Sequence, residues 1–219
     1  MRKQLCYARI AWCAGMLFAL PTFAQNVTFD GLPVGETFGP PEFEAGDVIF
    51  TEEGISVSIE EFLNGAGVPV FFGPAQVFAA GDTMPGFPPG LPSGFGDGNV
   101  MFTPNVSLEF DFADIGPIDQ VTFEWANGGG NENISVNGEE IWFQSIVTAP
   151  TEIAPGVTLT ASFDKLTLVG TANLVGPSES LRVGGQEFAI DSIVAVPEPA
   201  TLVCLTLGLA AAFSRRRSR

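Results

Sequence analysis

The sequence predicts an all-β protein, an antiparallel β-sandwich of jelly-roll type. Three observations predict it. Apolar residues recur at every second position in many short runs, glycine, proline and asparagine separate those runs, and residues 25–195 show no 3.6-residue helical period. With 26 glycines and 17 prolines in 219 residues, turn formers are frequent enough to divide the chain into short strands.

The N-terminus comes first and is not part of that fold. Arg2, Lys3 and Arg9 precede an apolar run from Ile10 to Leu20, and Thr22-Phe23-Ala24 places small residues at the −3 and −1 positions. This reads as a secretory signal peptide over residues 1–24, cleaved after Ala24. Cys13 sits ahead of most of the apolar run, which is wrong for a lipoprotein anchor.

The ectodomain is expected over residues 25–195, with early strands at 26–30, 47–51, 54–60, 67–72, 75–79 and 99–103. Between the last two, the stretch from Met84 to Gly94 is too rich in proline and glycine for a strand and is expected as an exposed loop. Val106, Leu108, Phe110 and Phe112 then alternate with Ser107, Glu109 and Asp111, the pattern of a half-buried antiparallel strand. Val121, Phe123 and Trp125 alternate with Thr122 and Glu124 in the same way. Asn137-Gly138, between Ile134-Ser135-Val136 and a run ending at Phe143, is the strongest hairpin signal in the chain. Val157, Leu159, Ala161 and Phe163 mark another strand, and three more are expected at 165–169, 180–184 and 187–195.

Residues 196–219 form three zones. Val196-Pro197-Glu198-Pro199 is held extended by its prolines, and is expected to stand off from the folded domain. The uncharged run 200–213 follows; as a helix it reaches about 21 Å, against a hydrocarbon core of about 30 Å. Arg215, Arg216, Arg217 and Arg219 close the chain, orienting that end to the cytoplasm. This arrangement resembles the PEP-CTERM sorting signal of Gram-negative bacteria, and 188–195 resembles the strand that often precedes it. Cys204, inside the apolar run, is a small departure from that pattern. The resemblance implies that an exosortase, a membrane-embedded cysteine transpeptidase, recognises the Pro-Glu-Pro site. It removes the tail from an inner-membrane intermediate, anchored by a transmembrane helix at 200–213, and sends the ectodomain to the cell surface or extracellular matrix. The family's association with exopolysaccharide producers implies a biofilm setting.

Setting both targeting segments aside changes the chemistry of the chain. Cys6, Cys13 and Cys204 all leave with them, so the ectodomain has no disulfide. Only Lys165 and Arg182 remain as cations against 25 acidic residues, and 2 − 25 gives −23 for residues 25–199. Such a field repels nucleic acid and anionic headgroups. Histidine is absent from the whole chain, which removes Ser-His and Cys-His nucleophiles and histidine zinc sites. Paired carboxylates are then the remaining route to catalysis, by glycoside hydrolysis. The doublets Glu52-Glu53, Glu60-Glu61 and Glu139-Glu140 are poor candidates, because neighbours on a strand face opposite ways. A structural calcium suits carboxylates without histidine, with Asp30 after the first strand and Asp191 in the last as candidate ligands. Trp125 and Trp142 are the candidate sugar platforms, although their parity also suits core packing. The expected function is a non-enzymatic surface or matrix protein associated with polysaccharide. The alternatives are a carbohydrate-binding module with structural calcium and a glycosidase.

Overall fold

Two long antiparallel strands carry the architecture: β10 (Ile118–Val136) and β14 (Ser180–Pro197), paired from Ile118↔Pro197 to Val136↔Leu181. They were found in a computed structural model that describes residues 23–87 and 95–198. The signal-peptide residues 1–22, Pro199, the apolar run 200–213 and Arg215, Arg216 and Arg217 lie outside the described residues.

The earlier strands are β1 (Gln25–Val27), β2 (Thr37–Phe38), β3 (Val48–Glu52), β4 (Ile55–Glu60), β5 (Phe62–Leu63), β6 (Pro69–Val70), β7 (Ala75–Ala79), β8 (Asn99–Phe102) and β9 (Val106–Asp111). The later ones are β11 (Glu152–Ala154), β12 (Val157–Asp164) and β13 (Val169–Ser178). On one side of the β10–β14 pair the order continues β13-β12-β11. On the free side of β14 the partner changes along its length. β9, with β4 and β3 beyond it, meets Ser180; β8 meets Ala189 and Ile190; β1 meets Ile193 to Ala195. All these pairings are antiparallel, as expected of a β-sandwich.

β10 and β14 pass from one layer to the other through an irregular stretch. The register between them shifts between Asn127 and Gly129 and again before Glu132. Gly130 has φ +81°, a left-handed conformation that residues with a Cβ seldom adopt. Strands that change sheets turn their corners through such bulges. On β14, Gly184 admits β9: a Cβ there would come within 2.6 Å of the Ser107 Cα. The inner faces of both layers then close over one core, in which Phe110, Phe123, Trp125, Ile134, Val183, Phe188 and Ile193 are buried.

A buried carboxylate fastens the corner. Glu132 is 1 % exposed and accepts hydrogen bonds from Trp125 Nε1 (3.0 Å), Asn127 Nδ2 (2.7 Å), Ser145 Oγ (3.1 Å) and the Ile146 amide. It ties both sides of the glycine bend to the 3-10 turn at Ile146–Thr148.

Several strands differ from expectation. The runs around 121–125 and 134–136 are one strand, as are 180–184 and 187–195, because the glycines between them bulge without ending the ladder. Residues 165–168 form the turn between β12 and β13 where a strand was expected, and the strand lies instead at Val169–Ser178. The Asn137-Gly138 turn forms, with φ of 56° and 69°, and the Glu139 amide donates to the Val136 carbonyl. Its second arm shrinks to one bridge, Ile134↔Trp142. Of the proline-glycine segment, residues 88–94 lie outside the described residues, and the described part is not simply exposed: Met84 and Phe87 are buried, with Phe95 just after the segment, in a second small core with Val100, Phe102, Ala126 and Ala189. The Glu52-Glu53 doublet serves the fold. Glu52 accepts from the Thr28 and Phe29 amides, and Glu53 from the Asn26 amide, clamping the first strand.

Replacing Glu132 by alanine leaves an indole N–H, a carboxamide, a hydroxyl and an amide without their acceptor. A loss of about 3 kcal/mol or more of unfolding free energy is expected. Urea denaturation followed by tryptophan fluorescence measures it, and a loss below about 1 kcal/mol would show that water replaces the carboxylate.

Candidate functional site

Two places in the ectodomain combine chemistry with access: the end of β14 and a groove on the outer face of the sheet. β14 continues two residues past the expected boundary at Ala195. Val196 pairs with Gln120 and Pro197 with Ile118, Pro197 is buried, and the Glu198 amide donates to the Pro117 carbonyl at 2.9 Å. The Glu198 side chain is exposed. The expectation that this peptide stands clear of the domain is thus corrected. Proline lacks an N–H but still fills a strand position where its missing donor is not required.

The groove, about 720 Å³ in volume, is built on β12, β13, β10 and β14. Residues in register on neighbouring antiparallel strands share a face, so its floor can be read from the pairing. One row runs Asp191, Glu124, Thr171, Ser162, and the next runs Val194, Thr122, Asn173, Thr160. Ser162 and Thr171 hydroxyls lie 2.9 Å apart, and Gln120 Nε2 donates to Asn173 Oδ1 at 2.7 Å. Gly96 and Asp97 form a wall. They follow Phe95, whose burial anchors that wall to the sheet. Among the described residues no cationic side chain lines the groove.

Asp191 is the most perturbed group there. It is 2 % exposed, its Oδ1 has no hydrogen-bond partner, and burial pushes its carboxyl up to about 6. The nearby Asp97 charge pushes the same way, while hydrogen bonding to Ser192 and to the Asp97 amide opposes it. Glu124, directly across the strand pair, brings a second carboxylate to the same face.

The last 24 residues decide what the chain end is. Residues 195–218 match the PEP-CTERM protein-sorting motif. The chain carries a PEP-CTERM sorting signal. The signal implies an exported, cell-surface protein processed by an exosortase. Its first described residues are those already placed at the end of β14. Among curated proteins none matches the chain.

Upstream of the PEP-CTERM signal, the other expected site residues scatter. Ala24 is exposed and immediately precedes β1. Asp30 and Asp191 both approach the segment 96–99: Asp30 Oδ1 accepts from the Asn99 amide at 2.8 Å, and a Cβ on Gly96 would lie 3.3 Å from Asp191 Oδ2. The two ends of the domain do meet, since Val27 pairs with Ile193. Among the described residues, however, no three acidic side chains converge as a metal-binding group. Trp125 is fully buried, stacked 6.3 Å from Phe163, so it offers no sugar platform. Trp142 is half-buried against the core and donates through Nε1 to the Ser145 carbonyl. The groove residues Thr122, Glu124, Thr160, Ser162, Thr171 and Asn173 were not singled out by the sequence. Their signal was the polar half of each alternating strand, but their assembly needed β13, which the pattern misplaced.

The raised Asp191 carboxyl has a defined consequence for stability. Between about pH 4 and 6 the folded chain holds a proton that the unfolded chain releases, so this group's contribution is present below the ordinary aspartate value of 3.8 and lost as pH rises through about 6. Asp191→Asn is therefore expected to stabilise the ectodomain at pH 7.5, by up to about 3 kcal/mol, and to change little at pH 3.5. Thermal unfolding at the two pH values tests this; equal effects at both would reject it.

Proposed function

We propose that this is a non-enzymatic protein of the cell surface or extracellular matrix, an acidic β-sandwich delivered by its PEP-CTERM signal into exopolysaccharide or biofilm. The observation that carries the reading is the sorting motif at residues 195–218, joined to a domain that has its own closed core. The charge supports an extracellular role. In residues 25–199 two cations face 25 carboxylates, a balance that favours solubility and mutual repulsion of copies. Arg182 is itself engaged, 3.5 Å from Glu60 and bonded to the Glu61 carbonyl.

The arrangement of carboxylates also supports a non-enzymatic reading. Glycoside hydrolysis needs an acid and a second carboxylate placed on either side of a scissile bond. Glu124 and Asp191 instead lie side by side on one sheet face, and Asp191 is too buried to touch a substrate.

The groove favours a second reading, a binding module for uncharged glycans. Its two rows offer hydroxyls, a carboxamide and the Glu124 carboxylate as hydrogen-bond partners for sugar hydroxyls, and its acidic rim disfavours anionic polymers. Polar contacts rather than aromatic stacking would hold such a ligand. Thr171→Trp, which fills the exposed middle of the floor, is then expected to weaken binding of a neutral polysaccharide at least tenfold, measured by affinity electrophoresis. Wild-type protein that shows no retardation on any neutral polysaccharide would remove this reading and leave the first.

For the sorting role, replacing Pro197-Glu198-Pro199 with alanines is expected to leave uncleaved protein in the inner membrane. Fractionation and immunoblotting in a host with its exosortase provide the measurement. Normal tail removal from that variant would refute exosortase sorting.

A further inference from the structure

An exosortase must grip the chain around Pro197, Glu198 and Pro199, yet the folded domain already holds part of that peptide. At Val194 and Ala195, β14 is paired on both edges: β1 takes one through Asn26 and Gln25, and β10 takes the other through Thr122 and Val121. Beyond Ala195, β1 ends and only β10 remains. Val196 lies opposite Gln120, and Pro197 opposite Ile118, which is fully buried and also pairs with Ser178 of β13. The last described bond is from the Glu198 amide to the Pro117 carbonyl, at 2.9 Å.

Enzymes that take extended peptides commonly bind them as an added strand, through the main-chain donors and acceptors of the peptide itself. In the docked state one edge of residues 196–198 is held by β10, the Glu198 donor is occupied and Pro197 is buried, so an enzyme that must surround the peptide meets only its outer edge. Resting on the sorting role above, we infer that residues 196–198, where the PEP-CTERM signal begins, are latched into the ectodomain sheet and that the exosortase acts only on a peeled form.

The structure also marks how far the peeling runs. The register between β10 and β14 shifts between Ile118 and Gln120, placing an irregularity beneath the terminal rung. A strand end held on one edge and undermined by a bulge opens at low cost compared with the interior of the sheet. Residues 196–198 therefore lift away, while Ala195, paired on both sides, stays. The domain sets the fraction of time the signal is exposed, and processing slows by that fraction.

Two variants test the latch in cells that contain the exosortase, with full-length chains and tail removal read by gel shift. In a Cys204→Ser background, which leaves no other cysteine downstream of the signal peptide, Gln120→Cys together with Val196→Cys joins a register pair by a disulfide. The oxidised form is expected to lose its tail at least tenfold more slowly than the same chain under reductant. Insertion of Gly-Ser-Gly-Ser between Ala195 and Val196 moves the signal off the sheet and is expected to raise the rate of tail removal at least threefold. Equal rates for the oxidised and reduced forms, or an insertion that leaves the rate at the wild-type value, would overturn the latch. Failure of the sorting role itself shows differently: the wild-type chain and the alanine-substituted signal would be processed alike.

Discussion

The antiparallel pairing of β10 and β14 is the constraint from which the rest of the ectodomain follows. Each strand is long enough to serve both layers, 19 and 18 residues, so the sandwich is closed by hydrogen bonds within one pair instead of by side-chain packing alone. Every other large strand either joins this pair or joins a strand that does. The pair has to bend to do this, and bending a ladder leaves backbone groups unpaired. Glycines at 128–130 allow the bend sterically, the Gly129 and Asn131 amides there donate to the Asn127 and Gln186 side chains, and the Glu132 carboxylate ties the bend to the Ile146–Thr148 turn. The alternation of apolar residues makes the faces; the glycine bend and its carboxylate make two faces into a sandwich.

That division explains what was legible in the sequence. The alternation at 106–112, 121–125 and 157–163 marked real strands because each has one face in the core. The fusion of 121–125 with 134–136 was hidden, since a glycine triplet ordinarily signals a turn and here bulges within a continuing ladder. β13 was misplaced for a different reason. Its sequence, with Gly170, Ala172 and Leu174 inward, is weak in large apolar residues because the Trp125 indole lies against Gly170 and takes the room a side chain would need. With β13 displaced, no reading of the sequence could align Glu124 with Asp191 on one side and Thr171 on the other.

Trp125 and Asp191 show parity succeeding and failing. Trp125 shares the inward parity of Val121 and Phe123 and is buried as that parity requires. Asp191 has the outward parity and is nevertheless buried, because a segment far away in sequence, anchored by Phe95, covers it. Period-two patterning reports which side of a sheet a residue takes. It is silent on what another part of the chain lays over that side.

The position of β14 has a consequence for the order of events during export. It is the last strand of the ectodomain and also a central one, contacted by β1, β8, β9 and β10. An N-terminal-first chain emerging across a membrane therefore displays β1, β8 and β9 before the strand they all need has appeared. Their pairings span up to about 170 residues of sequence, and long loop closures of this kind delay folding until both ends are present. The pairings that close the domain thus wait for the segment that runs directly into its address, while neighbouring strands such as β12 and β13 can pair before it arrives.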